Sequence, residues 1–207
     1  MNTVSLIQLF AFFMGMAVQP LLEMTENAMA VKRGLSLVRY PAWTKAAAMV
    51  LCGMLFCLLL GQRELTGKWV FTIVTVSLCW MITLFDFKYH LVPNEMVLAM
   101  FAVGLTANIT GYSSVGPMSS LMGCMAVGSL FLILFFSGGK VGAGDVKLAA
   151  AVGFCAGLVN SLVIMAIMGL LLMVYSMISK GLILKLLRTY VPMGPFVTAA
   201  YLLFMLR

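Results

Sequence analysis

The chain has 207 residues, 63% of them hydrophobic and 9% charged, with a mean hydropathy of +1.11. That leaves too few polar side chains to cover a water-soluble globule of this size, so lipid must act as solvent. The formal charge of +7 comes from basic residues scattered singly or in pairs between apolar segments, a pattern that fits membrane orientation and not a nucleic-acid surface.

A bilayer admits only structures that satisfy their own backbone, and apolar runs of about 16–20 residues suit helices, not barrel strands. The expected fold class is therefore all-α, a polytopic membrane helical bundle of about eight transmembrane helices. In chain order the spans are 4–22, 44–60, 69–85, 95–110, 118–136, 146–157, 158–178 and 191–206. The first run has no basic residue before it and no small-residue cleavage site after it, so it is expected to stay as a span. The polar stretch 23–43 reads as a short cytoplasmic loop, and no linker suggests a second domain, so residues 1–207 are expected to form a single integral-membrane domain.

The weakest boundary lies between the sixth and seventh spans, marked only by Gly157, Asn160 and Ser161. Charge decides it. With the amino terminus outside, eight spans put Lys32, Arg33, Arg39, Lys45, Lys88, Lys140, Lys147, Lys180, Lys185 and Arg188 inside, and only Arg63, Lys68 and Arg207 outside. Merging the two spans moves Lys180, Lys185 and Arg188 outside and erases most of the bias.

The chain holds two aspartates, Asp86 and Asp145, and this topology sets both at the cytoplasmic edge of spans. A carboxylate at the centre of a membrane helix costs about 2.5–3.5 kcal/mol, and one at the edge less, so such a group usually has a partner or a task. Asp86 closes the third span, where the helix dipole disfavours an anion; pairing with Lys88 is the plain alternative to a functional role. Pro93 then stops one element, and Asn94 is placed to cap the next. Asp145 follows a loop with four glycines, Gly138, Gly139, Gly142 and Gly144, and is placed to cap the sixth span. Capping needs none of those glycines, whereas a site that must hold an extended peptide close to its own backbone does. The loop has neither the ending of a Walker A motif nor a dinucleotide fingerprint. If the two carboxylates meet, they can share a proton, one activating water and the other protonating the peptide.

Gly142-Ala143-Gly144-Asp145 followed by Val146-Lys147-Leu148, and Asp86 followed by Leu91-Val92-Pro93-Asn94, together resemble the two aspartate motifs of the type IV prepilin peptidases, bacterial inner-membrane aspartic proteases of the Gly-x-Gly-Asp group. The motifs stand in order, about sixty positions apart, at matching ends of spans. The likeness extends to Val191-Pro192-Met193-Gly194-Pro195-Phe196 before the last span, where prolines suit a helix's first turn and a structural role is expected. The resemblance implies an endopeptidase with Asp86 and Asp145 catalytic and Gly142 and Gly144 shaping the substrate's approach. It further implies removal of the leader of a prepilin or pseudopilin at the cytoplasmic membrane face, with the cut after a glycine.

Many members of that family carry paired Cys-x-x-Cys motifs after the first span, associated with methylation of the new amino terminus. Loop 23–43 contains no cysteine. The product is therefore expected to stay unmethylated. Cys52, Cys57, Cys79, Cys124 and Cys155 all lie in apolar stretches and form no Cys-x-x-Cys pair, so they read as packing residues. No metal or cofactor is implied, because no cluster of ligand type exists. His90, the single histidine, reads as a loop residue that the aspartate mechanism does not need. A transporter using Asp86 and Asp145 as proton or cation sites is the alternative from another class, opposed by their interfacial depth. A non-catalytic assembly protein is a third reading, which would tolerate loss of either carboxylate.

Overall fold

In a computed structural model, the structure describes residues 3–38, 40–60, 68–113, 115–137, 141–178 and 192–206. Gly67, Ser114, Gly138, Gly139, Val191 and the basic residues Arg39, Arg63, Lys140, Lys180, Lys185, Arg188 and Arg207, on which parts of the topology and loop readings rest, lie outside them.

The described residues form eight helices and no strand: α1 (Thr3–Lys32), α2 (Ala42–Leu60), α3 (Lys68–Tyr89), α4 (Asn94–Ile109), α5 (Pro117–Phe136), α6 (Ala143–Ala156), α7 (Leu158–Ile178) and α8 (Gly194–Met205). Five segments are long and apolar enough to cross a bilayer: Leu6–Lys32, Ala42–Leu60, Trp69–Tyr89, Pro117–Phe136 and Leu158–Ile178. The other three helices are short. At 14 residues α6 reaches about 21 Å, less than the roughly 30 Å of a hydrocarbon core. Large apolar side chains such as Leu98, Met125, Ile133 and Val159 are exposed along the helices, as lipid-facing residues are. The chain divides into two compact units, Met1–Met81 and Ile82–Met205, with the boundary inside α3.

In the first unit, α1 continues about three turns beyond the expected span. The sequence suggests a stop at Pro20 and a polar loop from Glu23, yet the helix runs through both to Lys32. A proline inside a membrane helix is tolerated when neighbouring groups satisfy the freed carbonyl. Buried positions at Ala11, Gly15, Gln19, Glu26 and Ala30 keep one helical face through the extension. Glu23 forms an ion pair with Lys45 near the start of α2, Thr25 donates to Met81 Sδ at 3.1 Å, and Trp80 Nε1 donates to Gln19. The polar side chains that suggested a loop therefore serve as helix contacts. At Gly15 a Cβ would stand 2.8 Å from the Cys52 carbonyl oxygen, so α1 and α2 touch backbone to backbone, as small residues in membrane helices permit.

In the second unit, α6 is the central element, packing against α4, α5, α7 and α8. Gly153 and Gly157, read from their spacing as packing residues, face Gly123 of α5; a Cβ on Gly123 would come within 2.3 Å of the Gly153 carbonyl oxygen. Gly157 alone separates α6 from α7. Its φ of 77° is a left-handed conformation that glycine adopts without penalty. The Leu158 N–H donates to Ser119 Oγ at 3.2 Å, and the boundary between the sixth and seventh helices stands.

Candidate active site

Asp86 lies in the last turn of α3, which continues past it to Tyr89, so the carboxylate belongs to the helix itself and not to a loop after it. The Asp86 carbonyl accepts the His90 N–H at 2.9 Å, and His90 ends the helix with φ 49°. Left-handed geometry at that point is a common helix ending, which gives His90 a backbone role. Its ring is exposed and near enough to Asp86 for electrostatic interaction. The chain then turns through Val92 and Pro93 into α4. Pro93 is the N-cap and makes no side-chain cap bond, which displaces Asn94 from the capping role expected of it. Asn94 Oδ1 instead accepts from Lys147 Nζ at 3.0 Å, joining the starts of α4 and α6.

Asp145 is the third residue of α6, and the cap expected at Asp145 falls three positions earlier, on Gly142. From there the Asp145 carboxylate reaches back: Gly142 N–H donates to Asp145 Oδ2 at 3.0 Å, as an acid at N3 does in a capping box. Gly144 faces Val92 of the α3–α4 turn, so the close approach its missing Cβ allows is used at this position by the chain's own backbone. Gly138 and Gly139 lie outside the described residues.

Both carboxylates are nearly inaccessible, Asp86 at 2% exposure and Asp145 at 4%. Burial is the main cause that pushes Asp145 up to about 6; the Gly142 N–H opposes it, and the negative charge of Asp86 adds to it. Asp86 is thus close enough to act on the ionisation of Asp145. Among the described residues, no group of three His, Cys, Asp or Glu side chains gathers to hold a metal ion.

One participant was missed by sequence reasoning. Gly194, the first residue of α8, donates its N–H to Asp86 Oδ2 at 3.0 Å. The Pro-x-Gly-Pro segment, assigned only a structural role on sequence, therefore touches a candidate catalytic group. Pro195 sits in the first turn of α8 as expected, while Pro192 lies before the helix. The available signal was the glycine itself, since a helix start flanked by prolines has no need of one.

The last turn of α3 and the first turns of α6 and α8 thus form one end of the second unit, with two buried aspartates, the charge of Asp86 acting on Asp145. A buried pair of carboxylates in a helical membrane protein suits an aspartic hydrolase or a carrier of protons or cations. A family model described as the type IV leader peptidase family matches residues 73–177, just over half of the sequence, and the chain belongs to that family. It is a prepilin leader peptidase, an aspartic peptidase, which sets aside the transporter reading of the same two residues. No curated protein and no solved structure matches the chain.

Proposed function

We propose that Asp86 and Asp145 are the catalytic pair, and that they hydrolyse one peptide bond at the end of a prepilin or pseudopilin leader, after a glycine. The observation that carries this reading is the burial of both carboxylates in the same unit, near enough for the charge of Asp86 to act on Asp145. One carboxylate takes a proton from water as its oxygen bonds to the scissile carbonyl carbon; the other, protonated, gives its proton to the departing amide nitrogen as the C–N bond breaks. A pair sharing one proton in a site that excludes bulk water suits both halves of the step. Gly142 and Gly144 shape the substrate's approach, Gly142 through its hold on Asp145 and Gly144 by letting Val92 lie close.

The protein works as one integral domain in the inner membrane, crossing it several times, with its site at the cytoplasmic face. Support comes from the charge bias of the short loops and from the matching ends of α3, α6 and α8. A substrate helix lying in the bilayer would bring its polar leader to this depth. The released protein keeps an unmethylated amino terminus, because residues 23–43 contain no cysteine. The deciding experiment is co-expression of a prepilin with the wild type or with Asp86→Asn or Asp145→Asn, reading leader removal by the mass of the product. Processing by either variant at the wild-type rate would remove the pair from the mechanism.

A further inference from the structure

Asp86 depends on a partner that neither aspartate motif contains. Gly194 N–H donates to Asp86 Oδ2 at 3.0 Å, and a Cβ on Gly194 would stand 2.6 Å from that oxygen and 3.2 Å from Asp86 Cγ. No real Cβ tolerates such contacts with a carboxylate, so either the carboxylate or the start of α8 would have to move. Pro195 follows and has no N–H, which leaves Gly194 without a competing donor beside it.

The contact is also braced from behind. Thr198 Oγ1, fully buried one turn into α8, donates to the Gly194 carbonyl at 2.9 Å and lies within 3.2 Å of the Pro195 carbonyl. The same hydroxyl lies 2.7 Å from Thr83 Oγ1. The two hydroxyls are within hydrogen-bond distance, and either can donate to the other. Thr83 is in α3, three residues before Asp86 and on the same side of the helix. A closed path therefore runs from the Asp86 carboxylate through the Gly194 peptide and the Thr198 hydroxyl to Thr83, and back along α3 to Asp86.

The geometry points to Gly194 and Thr198 as positioning residues: the first turn of α8 fixes the orientation of the Asp86 carboxylate by a backbone donor that only glycine can bring so near, and Thr198 locks that turn to α3. The inference rests on Asp86 being catalytic. Asp145 is held in a parallel way, its Oδ2 accepting from Gly142 N–H. In each aspartate Oδ2 accepts from a glycine peptide N–H.

The test is steady-state processing of a purified prepilin by the full-length protein in detergent, with abundance and thermal unfolding measured on the same samples. Displacing a reacting group by about 1 Å costs on the order of 10²-fold, so Gly194→Ala should lower kcat by about that factor. KM should stay within about twofold, because substrate binding is not the function removed. Thr198→Val should lower kcat by about tenfold, the usual scale for a group one contact behind the chemistry, and Thr198→Ser should restore most of that loss because it keeps the hydroxyl. Gly194→Ala at the wild-type kcat, or a rise in KM alone, would overturn the proposal. If Gly194→Ala fails to insert, the Thr198 pair decides, and equal damage from Ser and Val would overturn it. Asp86→Asn is assayed alongside: activity there would sink the catalytic pair, whereas an inactive Asp86→Asn beside an active Gly194→Ala sinks only the positioning role.

Discussion

Gly144 and Val92 meet across the two aspartate motifs: a Cβ on Gly144 would stand 3.1 Å from Val92 Cβ and 3.3 Å from the Val92 carbonyl oxygen. That spacing is tight but not impossible, so Gly144→Ala should push Val92 by a few tenths of an ångström instead of preventing folding. Overpacking costs about 1–3 kcal/mol, and alanine in place of glycine inside a helix returns about 0.5–1 kcal/mol. Abundance should therefore change little, while prepilin processing falls because the turn that follows Asp86 has moved. Adding Val92→Ala should recover activity. Two independent, additive losses in the double variant would show that the contact does not join the motifs.

Membrane topology is the second test. Single cysteines placed at Lys32, His90, Lys140 and Lys185 in a cysteine-free protein should be labelled only from the cytoplasm, and cysteines at Gly67 or Ser114 only from the periplasm. The expectation follows from the basic residues concentrated in alternate loops. Periplasmic labelling at His90 or Lys140 would part the two aspartates and contradict the shared site.

Asp86 and Asp145 were legible in the sequence because charge is scarce there and each stands in a recognisable motif. Hydropathy also located the eight helices found among the described residues, since apolar runs in lipid leave little freedom in the choice of secondary structure. What the pattern did not reveal were contacts made by backbone. Gly194 is 108 residues from Asp86 and acts through its peptide N–H, which every residue except proline has. The end of α1 was misjudged for a different reason: Pro20, Glu23 and Glu26 are loop signals in water, but in α1 Glu26 is buried and Glu23 pairs with Lys45. Asn94 was a reasonable cap by residue type, yet Pro93 took the cap position and freed the amide to meet Lys147.

Protonation of Asp145 gives a prediction with a definite sign. Its folded-state value is raised to about 6 from an ordinary 3.8, chiefly by burial, so the folded protein holds this proton more tightly than the unfolded chain. The contribution to stability is fully present below 3.8 and is lost as the pH rises through about 6. A hydrophobic carbodiimide, which reacts with protonated carboxyls, should modify Asp145 in acid and progressively less through that range. Mass mapping of the modified peptide checks it. Labelling that stays constant across the range would mean that the carboxyl is not shifted.

The amino terminus of the product is a separate matter. With no cysteine in residues 23–43, the prepilin released by this protein should have the mass of the cleaved chain alone. The measurement is intact mass after co-expression in a host without another prepilin peptidase. A product heavier by one methyl group, dependent on this protein, would show that transfer does not need the missing cysteines.

The last prediction separates carboxylate chemistry from carboxylate structure. In Asp145→Asn the amide oxygen can still accept the Gly142 N–H, and in Asp86→Asn it can still accept the Gly194 N–H, so both variants keep the bonds that organise their helix ends. Asn at N3 keeps the accepting oxygen and loses only the negative charge that favours a helix's first turn, which puts the stability change at about 1 kcal/mol or less for Asp145→Asn. Neither amide can carry the proton that peptide hydrolysis moves. Loss of general acid–base function costs about 10²–10⁴ in rate, and residues acting as a unit lose nearly everything when one is removed. Both variants should therefore insert at normal abundance and process prepilin at least about 10²-fold more slowly. His90 provides the contrast. With φ 49° its backbone suits glycine, so His90→Gly should keep the turn and most of the activity despite losing the ring. If His90→Gly were as inactive as the aspartate variants while equally well inserted, the imidazole would belong to the reaction, and two carboxylates would not account for it.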